Sequence, residues 1–263
     1  MAKERIDKVL SHHGFGSRKD VKKMLRAESV CVNGKFVYDP GFQVDIESDE
    51  VFVAGEKIIL QHDLYIMMNK CADVVCANRD GEHRTVFDLL DESIRHKFLG
   101  GDLHCMGRLD IDTEGLLVLT TDGKLTHVLM SPKTHAPKTY AVRLLSVPDE
   151  EGRASYTEKF SCGFWIDREQ DESGFECQPS RLVWKGENSE KIIPSLLWED
   201  CDCLLTIFEG KFHQVKRMFS QVGNKVVFLR RVAVGGLVLD ESLPVGGYRE
   251  LSSGEISLLS QRS

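Results

Sequence analysis

The stretch "GRLDIDTEGLLVLTTDG", Gly107 to Gly123, sets three carboxylates in five residues ahead of an almost wholly apolar, strand-like run. It has three readings. In the first it is a calcium loop, since Asp110, Asp112, Glu114 and Gly115 imitate the first, third, fifth and sixth positions of an EF-hand. That reading fails. The twelfth position is Thr121 rather than a bidentate glutamate, and "LLVLTT" stands where a helix should leave. The second reading is a solvated turn ended by Gly115, which accounts for Asp112 and Glu114. It accounts less well for Asp110, flanked by Leu109 and Ile111, because a buried carboxylate needs a cation or donors. In the third, Asp110 is a nucleophile or base kept ionised by a cation, either neighbouring Arg108 or distant Lys216 of "HQVKR". Spacing alone does not bring these groups together, so the last two readings stay open.

Upstream, residues 1–60 read as a small separate unit. Ile6, Val9 and Leu10 begin a short amphipathic helix that stops at "GFG". Ser17 is an N-cap candidate, with Asp20 three residues on completing a capping box. In the helix that follows, Val21 and Leu25 share one face, while Arg18, Lys22 and Arg26 form a stripe flanked by Lys19 and Lys23. Asn33-Gly34 between short alternating runs predicts a hairpin. A basic helix face can be simply solvated. Five cations against one acid, set before a tight hairpin, also suit RNA phosphates.

A polar junction near Gln61-His62-Asp63 leads into a second unit over 64–263. "LYIMMNK" reads as a buried strand, "TVFDLL" as a short helix, and "AVRLL", "RLVW" and "CLLTIFEG" as strands. "GKFHQVKRMFSQVG" has a helical apolar period at Val215, Met218, Phe219 and Val222. The last third alternates β-branched runs with glycine turns. Residues 149–200 are least legible, with an acidic surface loop expected at 167–174. The sum is an α+β protein.

The 263 residues, 41% of them hydrophobic, suit globular domains rather than wholesale disorder. A net charge of −7 argues against a uniformly basic coat but permits a local patch. "MAKERIDKVL" has no apolar signal region, and no run reaches the ~20 apolar residues of a membrane span. A cytoplasmic protein is therefore expected. The eight cysteines form no CxxC pair. Period-two spacing would put Cys201 and Cys203 on one strand face as reduced core residues.

The "SRK" helix with "VCVNGK" resembles the alpha-L RNA-binding domain, over roughly residues 3–50. "GRLDIDTEGLLVLTTDG", then "LMSP" and "KTYAV", then "EGKFHQVKRMF" resemble, in order, the motifs of the pseudouridine synthases, most closely the small-subunit ribosomal A type. The resemblance implies a mixed, mainly antiparallel-sheet catalytic domain behind the RNA-binding one. It implies Asp110 as the catalytic aspartate, Tyr140 as the residue that stacks on the target base, and Lys216 as the basic partner. Leu229 would pack near the base. Arg108 would help displace the nucleotide, Arg217 would be a lesser substrate contact, and His213 would be supporting rather than catalytic. Arg18, Lys19, Lys22, Lys23 and Arg26 would hold phosphates.

The resemblance also implies a partner and a reaction. The partner is 16S ribosomal RNA or a small-subunit assembly intermediate, at the uridine 516 site, acted on by a monomer that needs no metal or cofactor. Two alternatives remain: a synthase for large-subunit 23S RNA, and a non-catalytic RNA-binding assembly factor.

Overall fold

A computed structural model describes residues 3–46, 48–58, 63–92, 94, 103–131, 136–168, 173–187 and 193–261. Gln61 and His62 of the expected junction, and residues 169–172 of the expected acidic loop, lie outside the described residues.

The N-terminal unit has its own core. Helix α1 (Ile6–His12) packs on α2 (Arg18–Arg26), burying Ile6, Leu10, Val21 and Leu25 completely. Ser17 and Asp20 cap α2 reciprocally, as expected: the Asp20 amide donates to the Ser17 hydroxyl, and the Asp20 carboxylate accepts from the Ser17 amide. Beneath lies a four-stranded antiparallel sheet in the order Lys35–Phe36, Val30–Val32, Val51–Val53, Glu56–Ile58. Its first hairpin turns at Asn33 (φ 49°) and Gly34 (φ 75°), two left-handed residues that match strand twist. Lys8 of α1 reaches Asp63 at 2.8 Å.

The second unit is built on a nine-stranded sheet. Its strands are β1 (Tyr65–Lys70), β2 (His104–Met106), β3 (Glu114–Thr120), β4 (Lys138–Leu144), β5 (Arg181–Trp184), β6 (Cys203–Ile207), β7 (Val226–Val234), β8 (Leu237–Val238) and β9 (Tyr248–Glu250). The main order is β5-β6-β4-β7-β3-β1-β9, with β2 on β3 and β8 on β7. Among the described residues, only the central β3–β7 pair in this sheet is parallel; the rest are antiparallel. The mixed, mainly antiparallel expectation therefore holds.

Helices cover both faces. On one, α4 (Glu150–Cys162) and α5 (Gln214–Ser220) bring Phe160, Val215, Met218 and Phe219 to a core with Tyr140, Val142 and Leu229. On the other, α3 (Gly123–Met130) contributes Leu129 to a core with Trp198 and Val232. Helix α4 was not expected from the sequence. Cys203 and Cys201 also depart from expectation. They sit in different cores, because the strand begins only at Cys203 and the period-two rule does not reach back to Cys201.

Two local devices shape the centre of the sheet. Gly115 (φ 99°) lies where β3 meets β7, and a Cβ there would stand 2.3 Å from the Arg231 carbonyl oxygen. It is thus the close-approach residue of a strand pair rather than the end of a turn. On the other side of β7, Thr139 opposes Ala233 but Tyr140 opposes Arg231, leaving Val232 as an extra residue. Such a bulge re-aims the strand beside it.

Candidate active site

Asp110 sits in the turn that feeds β3, where the Thr113 amide donates to its carbonyl. From below, Lys70 at the end of β1 is fully buried, and its ammonium donates to the carbonyls of Cys71, Asp110, Ile111 and Thr113 at 2.9–3.1 Å. The main chain under the carboxylate is therefore fixed by a buried charge.

Above, Lys216 in α5 supplies the cation that the third reading of this stretch required. Its Nζ is 3.1 Å from Asp110 Oδ2 and 2.6 Å from Asp112 Oδ1. Asp112 is thereby more than a solvated turn residue. Burial pushes its carboxyl up, but the Lys216 hydrogen bond and charge outweigh this and hold it below the usual carboxylate range. His213, at the head of α5 with φ 48°, places Nε2 3.7 Å from Asp110 Oδ1 and stacks on Phe212. It faces the carboxylate without a hydrogen bond at that distance.

Asp110 lines a cavity of about 130 Å³ with Arg108, Lys138, Tyr140, Leu229 and Arg231. Tyr140 and Leu229 are almost buried, with a face of each toward the cavity, while Arg108 is exposed at its edge. A slot with an aromatic wall, an apolar side chain and a paired carboxylate suits a flat polar ring placed against a nucleophile or base.

Arg217 is a correction. One residue on from Lys216, it is rotated about 100° around α5 and points away from the cavity. It is buried over Phe175, with Nη2 donating to the carbonyls of Asp167 and Ser173 at 2.8 and 3.0 Å. Its side chain ties a loop to the helix and is not placed to meet substrate in the cavity.

Lys138 and Arg231 are cavity residues that the sequence reading missed. A signal existed. Each lies two residues from an expected site residue, Tyr140 and Leu229 respectively, and on a strand that spacing shares a face. The five cations of α2 are all exposed; Lys23 lies 3.4 Å from Asp20, and the Arg18 charge reaches Asp7.

A family model described as RNA pseudouridylate synthase matches residues 64–221, and an S4 domain model matches residues 4–51. An RNA pseudouridine synthase of Bacillus subtilis, itself uncharacterised, is 40% identical over 258 residues, covering 98% of each chain. The ribosomal small subunit pseudouridine synthase A of Escherichia coli K12 is 38% identical over 255 residues, covering 96% of this chain and 98% of that one. A crystal structure of a pseudouridylate synthase superposes with a TM-score of 0.60 at 36% identity, covering 97% and 99%.

Proposed function

The chain belongs to the RNA pseudouridylate synthase family, and we propose that it converts one uridine of 16S ribosomal RNA to pseudouridine, by resemblance uridine 516. In this reading Asp110 is the catalytic carboxylate. The observation that carries it is the 3.1 Å pair of Asp110 with Lys216, set on the wall of a cavity that also holds Tyr140 and Leu229.

The target base must leave its stack before its glycosidic bond is accessible, at a cost of a few kcal/mol. Phosphate contacts from the α2 stripe and stacking on Tyr140 offset that cost, since a base stacked on an aromatic ring contributes about 1–3 kcal/mol. Arg108, at the cavity edge, fills the place the base vacates. Leu229 packs against the ring. Asp110 then acts at the sugar, either by attack at C1′ or by taking the C2′ proton. The N1–C1′ bond breaks, the ring turns, C5 bonds to C1′, and the proton C5 loses is balanced by one gained at N1. Lys216 keeps Asp110 charged and oriented, and Asp112 holds Lys216 from its other side.

The choice of small-subunit RNA rests on relatives of that name, which are 35–38% identical over nearly the whole chain. We take residues 1–60 as the RNA-binding unit and 64–263 as the catalytic one, acting as a cytoplasmic monomer on free RNA or an assembly intermediate.

The test is pseudouridine mapping by carbodiimide-blocked primer extension on both ribosomal RNAs, treated with wild type or Asp110→Asn. One stop in 16S RNA, made by wild type alone, is the expected result. A stop in 23S RNA would move the substrate and keep the chemistry. A stop that persists with Asp110→Asn, or no stop in either RNA, would overturn the mechanism.

A further inference from the structure

The cavity holds more charge than Asp110 and Lys216 account for. Lys138 lines it, yet among the described residues its ammonium donates only to the Ala136 carbonyl, at 3.1 Å. Glu209, an acid whose charge reaches Lys138, is already engaged: it accepts from the Gln178 backbone amide at 2.9 Å and Gln214 Nε2 at 2.7 Å, with Lys211 Nζ at 3.7 Å. Half-buried Lys138 is joined there by Arg231 on β7, a buried cation whose Nε donates to the Leu116 carbonyl at 2.8 Å. The hydroxyl of Thr113, another residue of the cavity wall, is buried without a hydrogen-bond partner among the described residues. A cavity with two cations and an idle hydroxyl is short of acceptors. Burial without a countercharge is unfavourable and needs an incoming group to offset it.

The strand fixes where that group would lie. Lys138 and Tyr140 are alternate residues of β4, so they share a face and stand roughly 6.6 Å apart along it, about the breadth of a pyrimidine with its substituents. A uracil stacked on Tyr140 then presents a carbonyl edge to the ammonium. When the N1–C1′ bond breaks, its electron pair stays on the ring and spreads from N1 onto the conjugated carbonyl oxygens. Donors already aimed at charge that develops in the reaction accelerate it.

We propose that Lys138 is a further catalytic residue of this reaction, donating to a carbonyl oxygen of the target uracil and stabilising the negative charge left on the base when N1 parts from C1′. The inference rests on the pseudouridine synthase reading of the site. It adds a leaving-group contact to the attack on the sugar.

Burial, then the Arg231 charge, bring the Lys138 ammonium down to about 8, with Glu209 pulling the other way. Lys211 and Tyr140 also face it, and Asp110 and His213 lie across the same cavity. The protonated form is the active one in this scheme, so activity is full below that value and falls as pH rises through it.

The experiment measures single-turnover rates and RNA affinity on unmodified transcripts of both ribosomal RNAs, so that a wrong substrate choice does not void it. Lys138→Met should slow the reaction at least tenfold while its dissociation constant for RNA stays within twofold of wild type, and its melting temperature should show the fold intact. Lys138→Arg should keep most of the activity. At subsaturating RNA, wild type should lose rate above about pH 8, and Lys138→Arg should not. Weaker RNA binding with an unchanged rate would assign the ammonium to a phosphate and overturn the proposal. Unchanged behaviour of Lys138→Met, or the same alkaline limb in Lys138→Arg, would overturn it equally. No product from wild type on either RNA would remove the functional reading itself, and this inference with it.

Discussion

The ammonium of Lys70 donates to the main-chain carbonyl of Asp110 at 3.1 Å, so the proposed catalytic residue is held from beneath by a charge with no solvent exposure. Three N–H groups serve four carbonyls there, from Cys71 and from Asp110, Ile111 and Thr113. Burial pushes the lysine pKa down, while the charges of nearby acidic groups, Cys76 and Cys71 first and then Asp112 and Asp110, pull the other way. The loop that carries Asp110 is thus fixed by its backbone, leaving the carboxylate to face the cavity.

Lys70→Met keeps the length of the side chain and removes every donor. The carbonyls it served lose a buried partner, which should cost about 2–4 kcal/mol. Urea denaturation reads that loss directly, and turnover should fall further than RNA affinity. An unchanged midpoint would mean that the loop holds itself.

The α2 stripe is predicted to supply phosphate contacts rather than chemistry. Replacing Arg18, Lys22 and Arg26 together by Gln leaves the buried face of Val21 and Leu25 untouched. Affinity should drop, and the slope of log affinity against log salt should flatten by about 2–3, one phosphate contact per cation. The single-turnover rate at saturating RNA should hold. A salt slope equal to wild type would return the stripe to an ordinary solvated helix face.

The parts of this fold that were legible in the sequence are those decided within a few residues. Ser17 with Asp20, the Asn33-Gly34 turn and the apolar run that opens β1 are local signals, and the structure realises each. Helix α4 was not legible, because only Phe160 along its thirteen residues is fully buried and no apolar stripe announces it. The pairing of Asp110 with Lys216 joins residues from β3's lead-in turn and α5, and no spacing rule spans that separation. Arg217 shows the limit in another way. It is next to Lys216 in sequence, and helical rotation alone sends it to the opposite task. The bulge at Val232 hides the register of β7 against β4, although the faces of Lys138 and Arg231 could still be counted from Tyr140 and Leu229.

At the far edge of the sheet, Arg249 on β9 binds Asp240 and Glu255, each at 2.7 Å. Ser242 and then Arg249 hold Asp240 down to about 2, and Arg249 first among its contacts holds Glu255 down to about 2. Folded values below the unfolded ones make this stabilisation full above about pH 4.5 and lost as pH falls towards 2. The guanidinium is a third exposed, so the pair contributes about 1 kcal/mol or less. Arg249→Met should therefore lower Tm by roughly 2–4 °C at pH 7, and the gap to wild type should close as the pH is taken down to 2. A gap independent of pH would show that the variant lost packing rather than an ion pair.

Lys216 is shared between two carboxylates, and the two contacts differ in what their loss should do. Asp112 is largely exposed, so Asp112→Asn gives up a solvent-screened pair and should change the rate less than about fivefold. Asp110 lies deeper, and Lys216→Met leaves it without its ammonium partner. A charge-assisted contact is worth about 1.5–3 kcal/mol, which corresponds to roughly ten- to hundredfold in single-turnover rate. RNA affinity should stay close to wild type, because Lys216 meets protein carboxylates and not phosphate. Asp112→Asn as damaging as Lys216→Met would shift the role of the lysine from holding Asp110 to holding the turn. An unchanged rate in Lys216→Met would remove it from the mechanism.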